Sequence, residues 1–97
     1  MQSSYVYILL CSDKTYYTGI TNNPERRLFE HHSGFKKNSY TFSRRPVEMV
    51  FLQEFMDINQ AILFEKKIKK WSKAKKAALI EDNYEILPIL SKKCFKK

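Results

Sequence analysis

Glycine is nearly absent from this chain: two residues in 97, Gly19 and Gly34. Phosphate loops and dinucleotide-binding turns need several glycines where the backbone must come close to a phosphate. Neither motif is present, nor is a strand-to-helix nucleophile elbow. Cysteine is as scarce, and Cys11 and Cys94 fit neither a metal-ligand spacing nor a disulfide framework. Cys11 ends an apolar run and reads as a buried thiol, and Cys94 sits among lysines. Both suit a reducing cytoplasm. The apolar run Tyr5 to Cys11 is too short for a membrane span, and Met1 to Ser4 carry no basic side chain, so no targeting segment is read. The expectation is a cytoplasmic protein with no membrane partner. Internal repeats and low-complexity linkers are also missing.

Acid is scarce in one half only. From Lys66 to Lys97 eleven lysines face three acids, whereas residues 1–65 balance seven against seven. The net charge of +8 therefore resides in the second half. Such a surface favours polyanions, and nucleic acid is the expected partner. Lys66, Lys69, Lys70, Lys73 and Lys76 are the candidate phosphate-binding lysines. A solvated helix face is the plainer reading of the same residues. Hydrophobic residues at 43% and charged residues at 29% are ordinary for a folded domain. A chain this short buries roughly 60–65% of its unfolded surface, which allows one core and one site.

Tyr5-Val6-Tyr7-Ile8-Leu9-Leu10-Cys11 is aromatic and branched and predicts a buried strand. Ser12-Asp13-Lys14 supplies a turn, and Thr15 to Thr21 a second strand, so the two form an antiparallel hairpin. The turn lacks an Asp-Gly or Asn-Gly pair, and its type stays open. Asn23-Pro24-Glu25 combines an N-cap, a proline in the first helical position and an acid at the positive end of the dipole. That helix runs to about His32, with Gly34 ending it. Phe35 to Arg45 reads as a basic loop, and Val47 to Phe55 as a third, weakly alternating strand. Asp57 to Gln60 resembles a capping box, and the following helix places Ala61, Phe64, Ile68 and Trp71 on one stripe. Ser72 caps a further helix. The expected architecture is α+β: a three-stranded, mostly antiparallel sheet flanked by helices. Residues 1–82 form the domain, and 83–97 a basic tail that is partly ordered at most.

Three groups of residues could carry chemistry. Tyr7 on the first strand and Tyr17 on the second can meet if the hairpin register allows, although strand tyrosines often only pack. Arg27 and His31 lie four apart on one helix face; a guanidinium suits a phosphate, and an imidazole moves protons near neutral pH. His32 points elsewhere and reads as structural. Glu65 borders the apolar stripe, where a carboxylate needs a partner. A divalent cation or Arg27 would serve. So would Lys69 at i+4, a helical pair worth only about 0.2–0.5 kcal/mol.

Taken in order, these residues resemble the GIY-YIG nuclease superfamily. Tyr5-Val6-Tyr7 stands where the GIY triplet would be, and Tyr17-Thr18-Gly19 replaces YIG. Arg27 and His31 match the R-x-x-x-H element, and Glu65 matches the family's metal-binding glutamate. The run Glu65 to Ile80 is similar to the small stand-alone bacterial members. The resemblance covers residues 4 to about 82. It implies metal-dependent endonucleolytic hydrolysis of a DNA phosphodiester, with structure-selective or repair-linked cleavage as the expected setting. In that reading Glu65 holds one Mg²⁺ or Mn²⁺ and Arg27 stabilises charge on the phosphate. Tyr7 activates water with help from His31, and Tyr17 orients water or phosphate, with the two tyrosines exchangeable. Family members often place an asparagine beside the metal, and Asn83 is the candidate.

Two other classes compete. One is a nucleic-acid-binding module without catalysis, suggested by the lysine-rich second half. The other is a protein-interaction domain on the same fold, for which Trp71 and the tail could serve a partner. Wherever nucleic acid is the partner, DNA is expected before RNA.

Overall fold

The computed structural model describes residues 3–34 and 39–82. The expected tail 83–97, with Asn83 and Cys94, lies outside the described residues, as do Lys36 and Lys37. The elements follow in the order β1 (Ser4–Leu10), β2 (Tyr16–Thr21), α1 (Pro24–Ser33), a 3₁₀ turn (Phe42–Arg44), β3 (Glu48–Phe55), α2 (Ile58–Lys69) and α3 (Lys73–Asp82). The three strands form one antiparallel sheet in the order β2-β1-β3. This is the α+β architecture expected from the sequence.

The β1–β2 turn closes without glycine. Lys14 takes a left-handed conformation with φ of 71°, which a side chain adopts only at a cost. Asp13 offsets that cost locally, since its carboxylate accepts hydrogen bonds from the Thr15 amide at 3.2 Å and the Thr15 hydroxyl at 2.6 Å. Beyond the turn, Tyr7 pairs with Gly19 and Leu9 with Tyr17. Tyr7, Gly19 and Tyr17 therefore share one face of the sheet.

Strand alternation divides the core in two. Val6 and Ile8 point to one face and pack with Phe51, Ala61 and Ile68, joined by Phe64 and Trp71. The stripe read from α2 is thus the one that meets the sheet. Tyr7, Leu9 and Cys11 point to the other face, with Val47, Met49, Tyr17 and Leu28 of α1. The β1–β3 register shifts beside Ile8: Ile8 opposes Phe51, but Leu9 opposes Met49. Val50 is the extra residue of a bulge, and both Val50 and Phe51 join the α2 side of the core. This is why β3 alternates only weakly in sequence.

The helix ends follow local chemistry. The Asn23 side chain accepts from the Arg26 amide at 3.0 Å, and Gly34 caps α1 at φ of 73°. Asp57 caps α2 by accepting from the Asn59 amide at 2.9 Å, and the Ser72 hydroxyl accepts from the Lys75 amide at 3.1 Å. α2 packs closely on all three strands. α1 approaches the sheet less closely, and large side chains fill the space between. No helix among the described residues is long and apolar enough to cross a membrane.

Candidate active site

The first site element is made by Gly19. A Cβ at that position would lie 2.5 Å from the Tyr7 hydroxyl oxygen and 2.6 Å from Cζ. Tyr7 therefore lies flat across its cross-strand partner, which only a residue without a side chain allows. Tyr7 is 1% exposed, yet its hydroxyl is not idle. It sits 3.2 Å from Nε2 of His31, and Nδ1 of His31 lies 2.7 Å from the Thr41 hydroxyl.

Aromatic contacts complete the cluster. The Tyr17 and His31 ring centroids are 5.3 Å apart and edge-on, and the Tyr7 and Tyr17 centroids are 6.3 Å apart. Tyr40 stacks on Tyr17 at 5.9 Å, and the Arg44 guanidinium covers the Tyr40 ring at 3.9 Å.

Arg27 belongs to the same cluster. Burial, with the neighbouring Tyr17, pushes the Tyr7 hydroxyl well above the ordinary tyrosine range, and the Arg27 charge opposes this. The Arg27 Nε is buried and makes no hydrogen bond, although the Glu30 carboxylate lies 3.3 Å away. A buried donor with an ion-pair partner but no hydrogen bond is only partly satisfied, and a ligand oxygen would complete it. Burial first, and then the Arg27 charge, hold the His31 imidazole below its usual range. His31 is therefore neutral at neutral pH, with one nitrogen able to accept a proton.

Glu65 stands apart from these four. It lies on α2, whose buried stripe covers the opposite face of the sheet. Its side chain is 14% exposed and ion-paired at 2.9 Å with Lys69, which is 57% exposed. That is the i+4 partner offered by helical spacing. The structure thus groups Tyr7, Tyr17 and His31 through direct contacts, sets Arg27 where its charge acts on Tyr7 and His31, and leaves Glu65 apart, ion-paired with Lys69.

Of the other candidate lysines, Lys66, Lys70 and Lys73 are exposed. Lys76 is half-buried, and burial, with the charge of Lys69, lowers its ammonium below the usual range. His32 hydrogen-bonds the Val47 carbonyl and is structural. A cavity of about 520 Å³ between α1 and β3, bordered by Cys11, Leu28, His32 and Val47, contains none of the five candidate catalytic residues. Sequence reading missed Thr41, Tyr40 and Arg44. They lie in a polar loop with no periodicity, and only the folded path of that loop brings them to His31 and Tyr17.

Residues 3–78 match the profile described as the GIY-YIG catalytic domain. The chain belongs to the GIY-YIG family. This places it within a nuclease superfamily, and the match covers every strand and helix among the described residues except the end of α3. A UPF0213 protein from Syntrophus aciditrophicus is 51% identical over 88% of this chain and 98% of its own length. Two solution structures share the fold at 37% identity. The UPF0213 protein BH0048 from Bacillus halodurans has a TM-score of 0.54, with 81% of this chain and 83% of that one covered. The protein EF2693 from E. faecalis has a TM-score of 0.60, with 84% and 86% covered.

Proposed function

We propose that this protein hydrolyses phosphodiester bonds of nucleic acid, DNA before RNA, at the Tyr7–His31–Arg27 cluster with one divalent cation. The observation that carries the reading is the Tyr7 hydroxyl 3.2 Å from His31 Nε2, beside an Arg27 whose Nε is ion-paired with Glu30 but makes no hydrogen bond. Tyr7 alone is a poor base, because burial favours its protonated form. Paired with His31 it becomes a relay. A water against Tyr7 gives a proton to the phenol oxygen while the phenol passes its own to His31 Nε2. The water oxygen bonds to phosphorus, and the bond to the leaving oxygen breaks, that oxygen taking a proton from solvent. Arg27 donates to the phosphate as charge builds there. Tyr17, against His31, orients the water or the phosphate.

The metal requirement can be weighed against the donors present. Among the described residues no three His, Cys, Asp or Glu side chains cluster. That excludes an all-protein cage there, but fits Mg²⁺ or Mn²⁺ held by one carboxylate, waters and phosphate oxygens. Glu65 would hold the ion, with Lys69 giving way, and the ion would supply Lewis-acid stabilisation of the phosphate. The exposed lysines Lys66, Lys70 and Lys73, with Lys69 and Lys76, would hold the flanking backbone.

The test is cleavage of branched, nicked and single-stranded DNA, and of RNA, with Mg²⁺ or Mn²⁺. Cutting by the wild type that Glu65→Gln and Arg27→Ala both abolish supports the reading. Cutting that survives both substitutions removes this cluster as its source. Salt-sensitive binding with no cutting of any substrate favours a binding module instead.

A further inference from the structure

We infer that Thr41 is a positioning residue that sets the tautomer of His31 and so turns Nε2 into the proton acceptor facing Tyr7. The effect of Thr41 on cleavage rests on the proposed function; the tautomer does not. Each ring nitrogen of His31 has one partner, Thr41 Oγ1 at 2.7 Å from Nδ1 and Tyr7 Oη at 3.2 Å from Nε2. A neutral imidazole carries a single ring proton, so one nitrogen donates and the other accepts. Thr41 and Tyr7 are hydroxyls and could each take either role.

Burial and the second partner of Thr41 decide between them. Tyr7 is 1% exposed, and His31 Nε2 is its one hydrogen-bond partner among the described residues. The phenol proton is therefore satisfied only by donation to Nε2. That leaves the imidazole proton on Nδ1, donated to Thr41 Oγ1. Thr41 can accept there because its own proton turns to Ser39 Oγ, 3.4 Å away. Every donor then runs in one direction, from Tyr7 through His31 and Thr41 to Ser39. The opposite tautomer would make the Tyr7 oxygen accept from Nε2 and leave the buried phenol proton without an acceptor.

Thr41 is well placed to impose this choice, because it is fully buried and its loop is pinned from several sides. The Arg44 amide donates to the Thr41 carbonyl at 3.0 Å, and the Arg44 carbonyl accepts from the Ser12 amide at 2.9 Å. The Arg44 side chain reaches the Asp13 carboxylate at 3.0 Å and the Tyr40 carbonyl at 2.7 Å. The strap is thus tied to the β1–β2 turn, and the hydroxyl is held where Nδ1 needs an acceptor.

The chain has two histidines, and the structure gives them opposite tautomers. His32 offers Nε2 to the Val47 carbonyl, which can only accept, so its proton is on Nε2. Long-range ¹H–¹⁵N correlation spectra of the full chain at neutral pH read both rings at once. The wild type should show a protonated Nδ1 for His31 and a protonated Nε2 for His32. Thr41→Ser, which keeps the oxygen, should leave His31 unchanged, and Thr41→Val should move its proton population toward Nε2. In the cleavage assay Thr41→Val should lower kcat by about 10–100-fold, the same range as loss of the hydrogen-bonded orienting partner of a metal-bound imidazole, with KM unchanged and Thr41→Ser restoring the rate. A wild-type His31 protonated on Nε2 overturns the inference, whether or not any variant folds. So does a folded Thr41→Val that keeps the wild-type tautomer. If the tautomers behave as stated and no substrate is cut, the proposed function fails while the role of Thr41 in setting the tautomer stands.

Discussion

The two faces of the sheet use polar residues in opposite ways. On the α1 face, Tyr7, His31 and Thr41 are drawn into the interior and their polar atoms are matched to one another at fixed distances. On the α2 and α3 side the interior is apolar, and the lysines Lys66, Lys70 and Lys73 stay in solvent around it. The first arrangement is directional and depends on tenths of an ångström. The second is electrostatic, tolerant of geometry and screened by salt. A nuclease needs both, one to position a phosphate and one to collect a polyanion. Substitutions on the two faces should therefore fail differently.

The largest effect is expected from Tyr7→Phe, which removes the hydroxyl that meets His31 Nε2. Single-turnover cleavage should fall by about 10²–10⁴-fold, the range for loss of a general acid–base group. DNA affinity measured without divalent cation should be unchanged. If affinity falls in step with the rate, the two faces do not act separately.

Gly19→Ala should come next, and it acts on stability as well as rate. The added Cβ meets the Tyr7 ring, which is buried and cannot swing away. Overpacking of this kind costs about 1–3 kcal/mol. Urea unfolding should show a lower midpoint, and cleavage should drop because the hydroxyl is displaced. A variant of wild-type stability and activity would contradict the close approach that defines this face.

The lysine face should give smaller, graded losses. Lys66→Ala, Lys70→Ala and Lys73→Ala should each reduce the slope of log K against log salt by about 0.9 if each contacts one phosphate of a duplex. The cleavage rate at saturating DNA should stay at the wild-type value. Unchanged slopes in all three variants would reassign those lysines to a solvated surface.

The smallest effect concerns acid. Arg27, Glu30 and His32 of α1, Tyr7 and Tyr17 of the sheet and Thr41 of the strap surround His31. Burial and Arg27 favour its neutral form in the folded protein. The unfolded chain therefore binds the proton more readily, and stability falls as pH drops below the ordinary imidazole value of about 6.5, levelling off once folded His31 is also protonated. Thermal unfolding of the wild type and His31→Gln across that window isolates the contribution. Cleavage should rise with pH through the same window, because the acceptor must be neutral. A His31 contribution that strengthens the fold on acidification would reverse this assignment.

Much of the fold is legible because it is local. Asn23, Pro24 and Gly34 punctuate α1 through backbone chemistry that operates within a few residues. The stripe Ala61, Phe64, Ile68 and Trp71 marks the buried side of α2 by periodicity alone. β3 was harder to read, because a bulge at Val50 puts consecutive residues on one side and spoils the alternation. Of the candidate site, Arg27 and His31 were visible as an i+4 pair. The contact of Tyr7 with Tyr17 depended on a hairpin register that no glycine-containing turn advertises. Thr41 carried no signal at all: a lone hydroxyl in a polar loop looks like any other.

By itself, then, the chain's order of residues determined the succession of strands and helices, the uneven charge and membership of the GIY-YIG family. Tertiary structure decided three further things: that Tyr7 lies across Gly19, that Glu65 takes Lys69 as its partner, and that Thr41 reaches His31 from ten residues away. Local propensity and periodicity act over a few residues and can be read along the chain. Which hydroxyl meets which imidazole is set by strand register and by the path of a pinned loop, and those depend on packing between segments far apart in sequence.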